Sequence, residues 1–377
     1  ITYVFNIDGK VESITDLTGN QLRVLYDEDN RIIKAENQFG DFIKYTYESD
    51  KLCKVSDYAG REIRLEYSND LLNKISDING QRARFEYKKE TLTEIYNARN
   101  ILGIKNIYDN TNRVVQQKFP DGGVVTFEYD ETENKTTVVD QNEIKIVYYH
   151  DDYCRCTRIV YPEGEEIFKY NNKNLKEAFI DKKGNETKYK YDNQGNLIEV
   201  INALGQVVQY EYTEFNQVCC TKLNGEVLQQ LAYNDSHSIL SEEDAHGNKV
   251  SYKYNDNNQI EAIVYADGNE PKFEYDRKGN LIAEINNFGG RREFEYDELH
   301  RIVKETDALG NTTTYQYNIY DKAIQVCNAK GDISTYKYDA CGNLIESVDF
   351  NGNKTNAAYN VLNKVEKVID AEGDRKS

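Results

Sequence analysis

Tyrosine recurs along this chain with a step of 20 or 21 residues, and that beat constrains the fold more than any other feature. From Tyr26 it falls on Tyr47, Tyr67, Tyr87, Tyr108, Tyr129, Tyr149, Tyr170, Tyr191, Tyr212, Tyr233, Tyr254, Tyr275, Tyr296, Tyr317, Tyr338 and Tyr359, with Phe5 one step before the first. A fixed period of this length marks a repeat array whose unit is one supersecondary element. Glycine stands seven residues ahead of most anchors, including Gly184, Gly205, Gly247, Gly268, Gly289, Gly310, Gly331 and Gly352. A second glycine follows some anchors by four residues, as at Gly195 and Gly342.

Both glycines close the same turn grammar. Asp or Asn comes first and Gly fourth, as in Asp192-Asn193-Gln194-Gly195 and Asp307-Ala308-Leu309-Gly310. This is the pattern of a type I turn in which the first side chain bonds back to the backbone. Two turns per period leave two segments of about six residues, the usual strand length. The segment before the anchor alternates, as in Tyr252-Lys253-Tyr254 and Phe273-Glu274-Tyr275, so its aromatic and charged side chains take opposite faces. The segment after the turn is more apolar, as in Leu197-Ile198-Glu199-Val200-Ile201. Each unit is therefore a β-hairpin, and connections this short force antiparallel neighbours.

The expected fold is all-β: about 17 tandem 21-residue hairpins in one continuous antiparallel sheet, rolled into a spiral, hollow β-shell. An open solenoid-like ribbon is the alternative. About 34 strands spaced near 4.8 Å make a ribbon roughly 160 Å wide, far beyond the ~10 strands at which twisted sheets curl or split. Closed in a single turn, that ribbon measures roughly 50 Å across with a lumen near 30 Å, and a two-turn spiral holds less. No linker or helix-period segment interrupts the pattern, so residues 1–377 read as a single array. A start without Met, inside a patterned segment, reads as a fragment of a longer chain. Residues 97–166 are the least regular: Asn97-Ala98-Arg99-Asn100 and Asp140-Gln141-Asn142-Glu143 lack the glycine, and a local distortion is expected at His150–Cys156.

Composition narrows function mainly by exclusion. The net charge of −18 opposes non-specific nucleic-acid binding. No apolar run approaches a membrane span. Four histidines, with no phosphate loop, nucleophile elbow or H-E-x-x-H motif, give catalysis no foothold. Seven cysteines cannot all pair internally and match no zinc spacing, so a mostly reduced or incidental set is expected. His150, Asp151, Asp152, Cys154 and Cys156 form the one local group that a soft metal could use, but a degenerate repeat explains them more simply. Each Asp-x-x-Gly turn supplies one carboxylate, which suits turn capping rather than calcium. No cofactor or metal is expected, and the tyrosines and glycines above are assigned structural roles. Glycan binding by the aromatic face is a weaker reading than simple packing.

Tyr189-Lys190-Tyr191-Asp192-Asn193-Gln194-Gly195-Asn196-Leu197-Ile198 and its counterpart Tyr336–Ile345 resemble the YD repeat of the Rhs family, which includes bacterial polymorphic toxins, shell components of insecticidal toxin complexes and teneurins. The resemblance extends over the whole array. It implies a wall that closes around a C-terminal toxic segment of the same longer chain. The only prolines are Pro120, Pro162 and Pro271, so the Asp-Pro-rich motif preceding self-cleavage in that family has no counterpart here, and no cleavage residue is assigned. The expectation is a non-enzymatic shell segment of a secreted or surface-delivered bacterial protein, with an enclosed polypeptide as partner. The alternative is an extracellular structural or adhesive fibre that binds glycans or cell-surface proteins.

Overall fold

The computed structural model describes residues 1–373 and the backbone of 375 and 376. These residues form a 37-stranded sheet, from Thr2–Phe5 to Arg375–Lys376, with no helix among them. Every strand pairs antiparallel with its neighbours in the chain, as in Glu186–Tyr191 with Leu197–Ile201 and Leu197–Ile201 with Val207–Tyr212. The product is one uninterrupted meander. The first 36 strands make 18 hairpins, one more than expected, because Thr2–Phe5 and Val11–Thr15 already form a pair.

The two kinds of strand pairing are unequal. Inside a hairpin the ladder runs to the anchor: Glu186–Tyr191 pairs with its partner from Lys188↔Ile201 to Tyr191↔Leu197, with a bulge after Lys190. Between hairpins it stops early. Leu197–Ile201 and Val207–Tyr212 share only Glu199↔Gln209, Val200↔Val208 and Ile201↔Val207. Neighbouring hairpins therefore splay at the ribbon edge where the anchors lie, called here the anchor edge, and pair tightly at the far edge.

The anchor hydroxyl fills this gap. Tyr212 Oη donates to the carbonyl of Leu197 at 2.7 Å, where the missing rung would be. Sixteen of the seventeen tyrosine anchors make this bond to the carbonyl 14–16 residues upstream, at 2.6–3.0 Å. Tyr149 is the exception, because in this hairpin His150 takes the anchor's place opposite Cys156 and Tyr149 lies one residue before it. There the ladder between hairpins is complete, from Lys135↔Tyr149 to Val139↔Lys145, so no rung is missing.

The turns keep one geometry even where their sequence varies. In the turn after Tyr191, the Gly195 N–H donates to Asp192 O at 3.3 Å and the Asp192 N–H to Asn196 O at 2.9 Å. Gly195 sits at φ +94°, a type I turn closed by a left-handed residue that forms the bulge. An added Cβ at Gly310 (φ +85°) would meet nothing within 4 Å, so conformation, not space, favours glycine there. Asn100, Glu143 and Cys154 hold the same left-handed position at φ 58°, 64° and 59°. The segment 97–166 thus carries the same alternation of strands and turns, with a local shift at His150–Cys156, where His150 rather than the periodic Tyr149 pairs across the turn with Cys156.

The sheet is one layer thick. Among the described residues the buried apolar side chains are Ala178, Cys220, Ala262, Ala283 and Phe294, and no large side chain is fully buried. The accessible surface is 23905 Å², whereas a compact globule of this mass exposes roughly 15,000 Å². The tyrosine rings are therefore half-buried, and each contributes less than the ~1.5–3 kcal/mol of a fully buried large side chain.

The ribbon winds past itself. Far-edge turns at 37–41, 57–61, 77–80 and 97–101 rest against anchor-edge turns between 276 and 364. The turn at 37–41 meets turns 23 and 25 strands later, so one revolution takes about 24 strands. The array makes about one and a half revolutions, not a single closed turn. A 24-strand circumference corresponds to roughly 35–45 Å across and, after the same allowance for walls, a lumen of roughly 15–25 Å, narrower than that of a single closed turn. The straight ribbon is excluded.

Replacing Tyr212 by Phe removes a hydroxyl bond that stands in for a backbone rung and should cost about 0.5–1.5 kcal/mol. Tyr149→Phe should stay within about 0.5 kcal/mol, as surface changes do. Denaturant unfolding of the two variants beside the parent measures the contrast; equal losses would contradict it.

Candidate functional site: a two-faced wall and its seam

The anchors Tyr26, Tyr47, Tyr67, Tyr87, Tyr129, Tyr170, Tyr191, Tyr212, Tyr233, Tyr254, Tyr275, Tyr296, Tyr317, Tyr338 and Tyr359 line one ribbon edge through their carbonyl bonds. Basic residues cover several of these rings: the guanidinium groups of Arg31, Arg113, Arg155 and Arg301 lie 4.7–4.9 Å from the ring centres of Tyr47, Tyr129, Tyr170 and Tyr317. Burial raises the pKa of Tyr191, Tyr233 and Tyr254.

The opposite face is a field of ion pairs. Where the middle residue of an apolar strand is charged, it pairs with its cross-strand neighbour, as in Lys190–Glu199 (2.6 Å), Lys304–Glu295 (2.7 Å) and Lys337–Glu346 (2.9 Å). Where it is alanine, long side chains from either side of that strand reach across it to each other. Lys253–Glu270 (2.7 Å) spans the strand of Ala262, and Arg291–Glu274 (2.8 Å) that of Ala283. These alanines are only 2% and 0% exposed as a result. Such pairs are worth about 0–1 kcal/mol each at a surface, and they also discourage sheet-to-sheet association.

The turn carboxylates serve the backbone. Asp192 Oδ1 accepts from the Gln194 and Asn196 N–H groups at 2.8 and 2.9 Å, and Oδ2 from Asn196 Nδ2 at 2.8 Å. Arginine replaces Asn in some copies, as in Arg301 on Asp297. The Asn196 amide holds the Asp192 carboxyl below its usual range. The Asn20 amide acts likewise on Asp16, lowering it to about 2. Gly184, Gly195, Gly205, Gly247, Gly268, Gly289, Gly310, Gly331, Gly342 and Gly352 occupy the left-handed position of their turns, with φ between 79° and 94°.

His150, Asp151, Asp152, Cys154 and Cys156 do not gather into a ligand set. Asp151 Oδ1 caps the turn through the Tyr153 and Arg155 N–H groups, and its Oδ2 pairs with Arg155. Cys154 is exposed, Cys156 half-buried, and all seven cysteines are free. Among the described residues no three His, Cys, Asp or Glu side chains are placed to hold a metal ion.

Sequence periodicity does not reveal the seam where successive revolutions meet. Lys278 Nζ reaches Asp41 Oδ1 at 2.9 Å, and His300 Nε2 lies 3.3 Å from Asp41 Oδ2. Arg61 pairs with Asp321 at 3.0 Å, and the Tyr58 hydroxyl donates to Glu298 O at 2.6 Å. Tyr320 inserts its hydroxyl between Asp77 and Asn79, each at 2.8 Å, with the Arg82 guanidinium 4.4 Å from its ring centre. Arg99 donates to Asn360 O at 2.9 Å and Asn363 Oδ1 at 2.7 Å. Desolvation works against the Asp41 carboxylate, yet Lys278, Asn37 and His300 together hold its pKa low. The sequence signal was present as Tyr58, Arg99 and Tyr320 at turn tips, but pairing them requires the length of one revolution.

Acid and alkali should both loosen the wall. The depressed carboxylates, Asp16 and Asp192 among them, contribute stability above about pH 4, and it is lost as pH falls through their lower folded values. The raised tyrosines hold their protons when folded, so their contribution is complete below about pH 10 and is lost above it. Denaturant midpoints from pH 2.5 to 11.5 should form a plateau that falls at both ends; a flat profile would contradict this reading.

The geometry finds counterparts among known proteins. A teneurin YD-shell family model matches residues 167–285, and an RHS-repeat model matches 275–312 and 296–322. No curated protein sequence matches the chain. The crystal structure of TcdB2-TccC3 superposes with a TM-score of 0.67 at 13% identity, covering 97% of this chain and 27% of that one. A Photorhabdus luminescens Tc holotoxin pore gives 0.63 at 14% identity, covering 93% and 24%. The chain thus spans about a quarter of the structures it resembles, and at these identities the likeness concerns the fold. The resemblance read from Tyr189–Ile198 therefore holds: teneurin YD-shell and RHS-repeat models together match residues 167–322, and the same hairpin unit continues on either side.

Proposed function

We propose that the chain is a wall segment of an Rhs-type shell that encloses a polypeptide effector and takes no part in chemistry itself. The observation that carries this reading is the winding: far-edge turns of the early repeats lie on anchor-edge turns of the late ones, so the ribbon goes around an interior. A lumen of roughly 15–25 Å suits an extended or unfolded polypeptide better than a compact domain of about 100 residues, whose radius of gyration is about 13 Å. The structural neighbours are toxin complexes, which supports a toxin as cargo and a secreted or surface-delivered setting. No helix among the described residues is long and apolar enough to cross a membrane. Catalysis is not part of the proposal, since turn carboxylates such as Asp192 cap backbone N–H groups and strand carboxylates such as Glu199 pair with Lys.

The wall's role would be exclusion. A single continuous sheet leaves few openings through which a protease could reach a chain inside. The adhesive-fibre alternative loses its main support, since a ribbon that returns on itself after about 24 strands presents closed revolutions instead of an extended filament.

Expressed with the flanking sequence of its own gene, the segment should shield an enclosed polypeptide. Protease at a level that digests the freed polypeptide should leave the enclosed one intact until the wall is unfolded. Equal digestion rates in both states would overturn the enclosure reading.

A further inference from the structure

We propose that the seam is a built-in opening line, along which the two revolutions part while the hairpins stay folded. The inference goes beyond enclosure and rests on the winding alone, whatever the wall surrounds.

Two classes of contact hold this molecule, and they are segregated. Along the ribbon, continuity comes from backbone ladders between chain neighbours and from the tyrosine-to-carbonyl bonds. Across the seam, no strand pairing exists, and among the described residues no backbone-to-backbone bond crosses it. What crosses is side-chain contact: ion pairs at the turns 37–41 and 57–61, and hydrogen bonds from Tyr58, Arg82, Arg99 and Tyr320 beside them. Lys278 and Asp41 pair with side-chain exposures of 38% and 12%, and Arg61 and Asp321 with 35% and 53%. Lys278, Arg61 and Asp321 keep access to solvent and salt. The ladders do not depend on charge, so screening acts on the seam first. At about 1 M salt the screening length falls to about 3 Å, comparable with the pair distances themselves.

The seam is also short, running over four successive far-edge turns. Its contacts concentrate on these turns, at 37–41, 57–61, 77–80 and 97–101. Parting there turns a closed revolution into an open coil without breaking a rung of the sheet. The same arrangement makes the opening reversible, because each hairpin retains its register through its own turn and bulge.

Solution scattering on the unmodified chain tests this directly, with far-UV circular dichroism on the same samples. Between about 0.05 M and about 1 M sodium chloride the radius of gyration should rise by about a tenth or more, while the strand signal stays constant. Asp41→Lys should show the expanded form already at low salt, and Asp41→Lys combined with Lys278→Asp should restore the compact one. A radius independent of salt overturns the proposal, and so does expansion accompanied by loss of strand signal. Should Asp41→Lys fail to fold, the salt titration of the unmodified chain decides alone.

Discussion

A tyrosine hydroxyl bonded to the carbonyl about 15 residues upstream is the contact on which the rest of this architecture depends. It is made where the ladder between hairpins gives out, as between Tyr212 and Leu197. A buried or half-buried carbonyl left without a donor is costly, and the phenol supplies the donor while its ring covers the strand beside it. Tyrosine is suited to this because one side chain combines an apolar body with a polar tip. Phenylalanine would cover the strand but leave the carbonyl open.

Larger features follow from that local arrangement. Hairpins paired closely at one edge and splayed at the other cannot lie flat, and strand twist adds to the departure at every step. The ribbon therefore coils, and about 24 strands bring it back to its own edge. Since the layer is single, stability is distributed as a sum of similar units and their nearest neighbours rather than held in a central core. Ala262 and Ala283 are as close to a core as the sheet comes, and they are covered by ion pairs reaching across their strands from either side. A wall of this kind encloses space at the cost of exposing both its faces, which explains an accessible surface far above that of a globule of equal mass.

The sequence made the unit legible and left the assembly obscure. The anchors, the Asp-x-x-Gly turns and the alternating Tyr-Lys-Tyr strands each act within about 20 residues, so their spacing exposes them. Cys154 and Glu143 looked like breaks because glycine was missing, yet the left-handed turn position accepts them at a conformational cost. Tyr149 keeps the beat perfectly, yet the register sets His150 in the anchor's place opposite Cys156, which spacing alone does not reveal. The seam was illegible for another reason. Asp41 and Lys278 are brought together by twist accumulated over many strands, and no single residue encodes that sum.

One long-range placement underlies the wound wall: residues 37–101 lie against residues 276–364 in a single molecule. A zero-length carbodiimide, which joins only carboxylates and amines already in contact, tests it most directly. Mass spectrometry of the monomeric product should recover Asp41 joined to Lys278, a link across 237 residues. Links confined to side chains within one or two hairpins of each other would show a ribbon that never meets itself, and would contradict the wound wall.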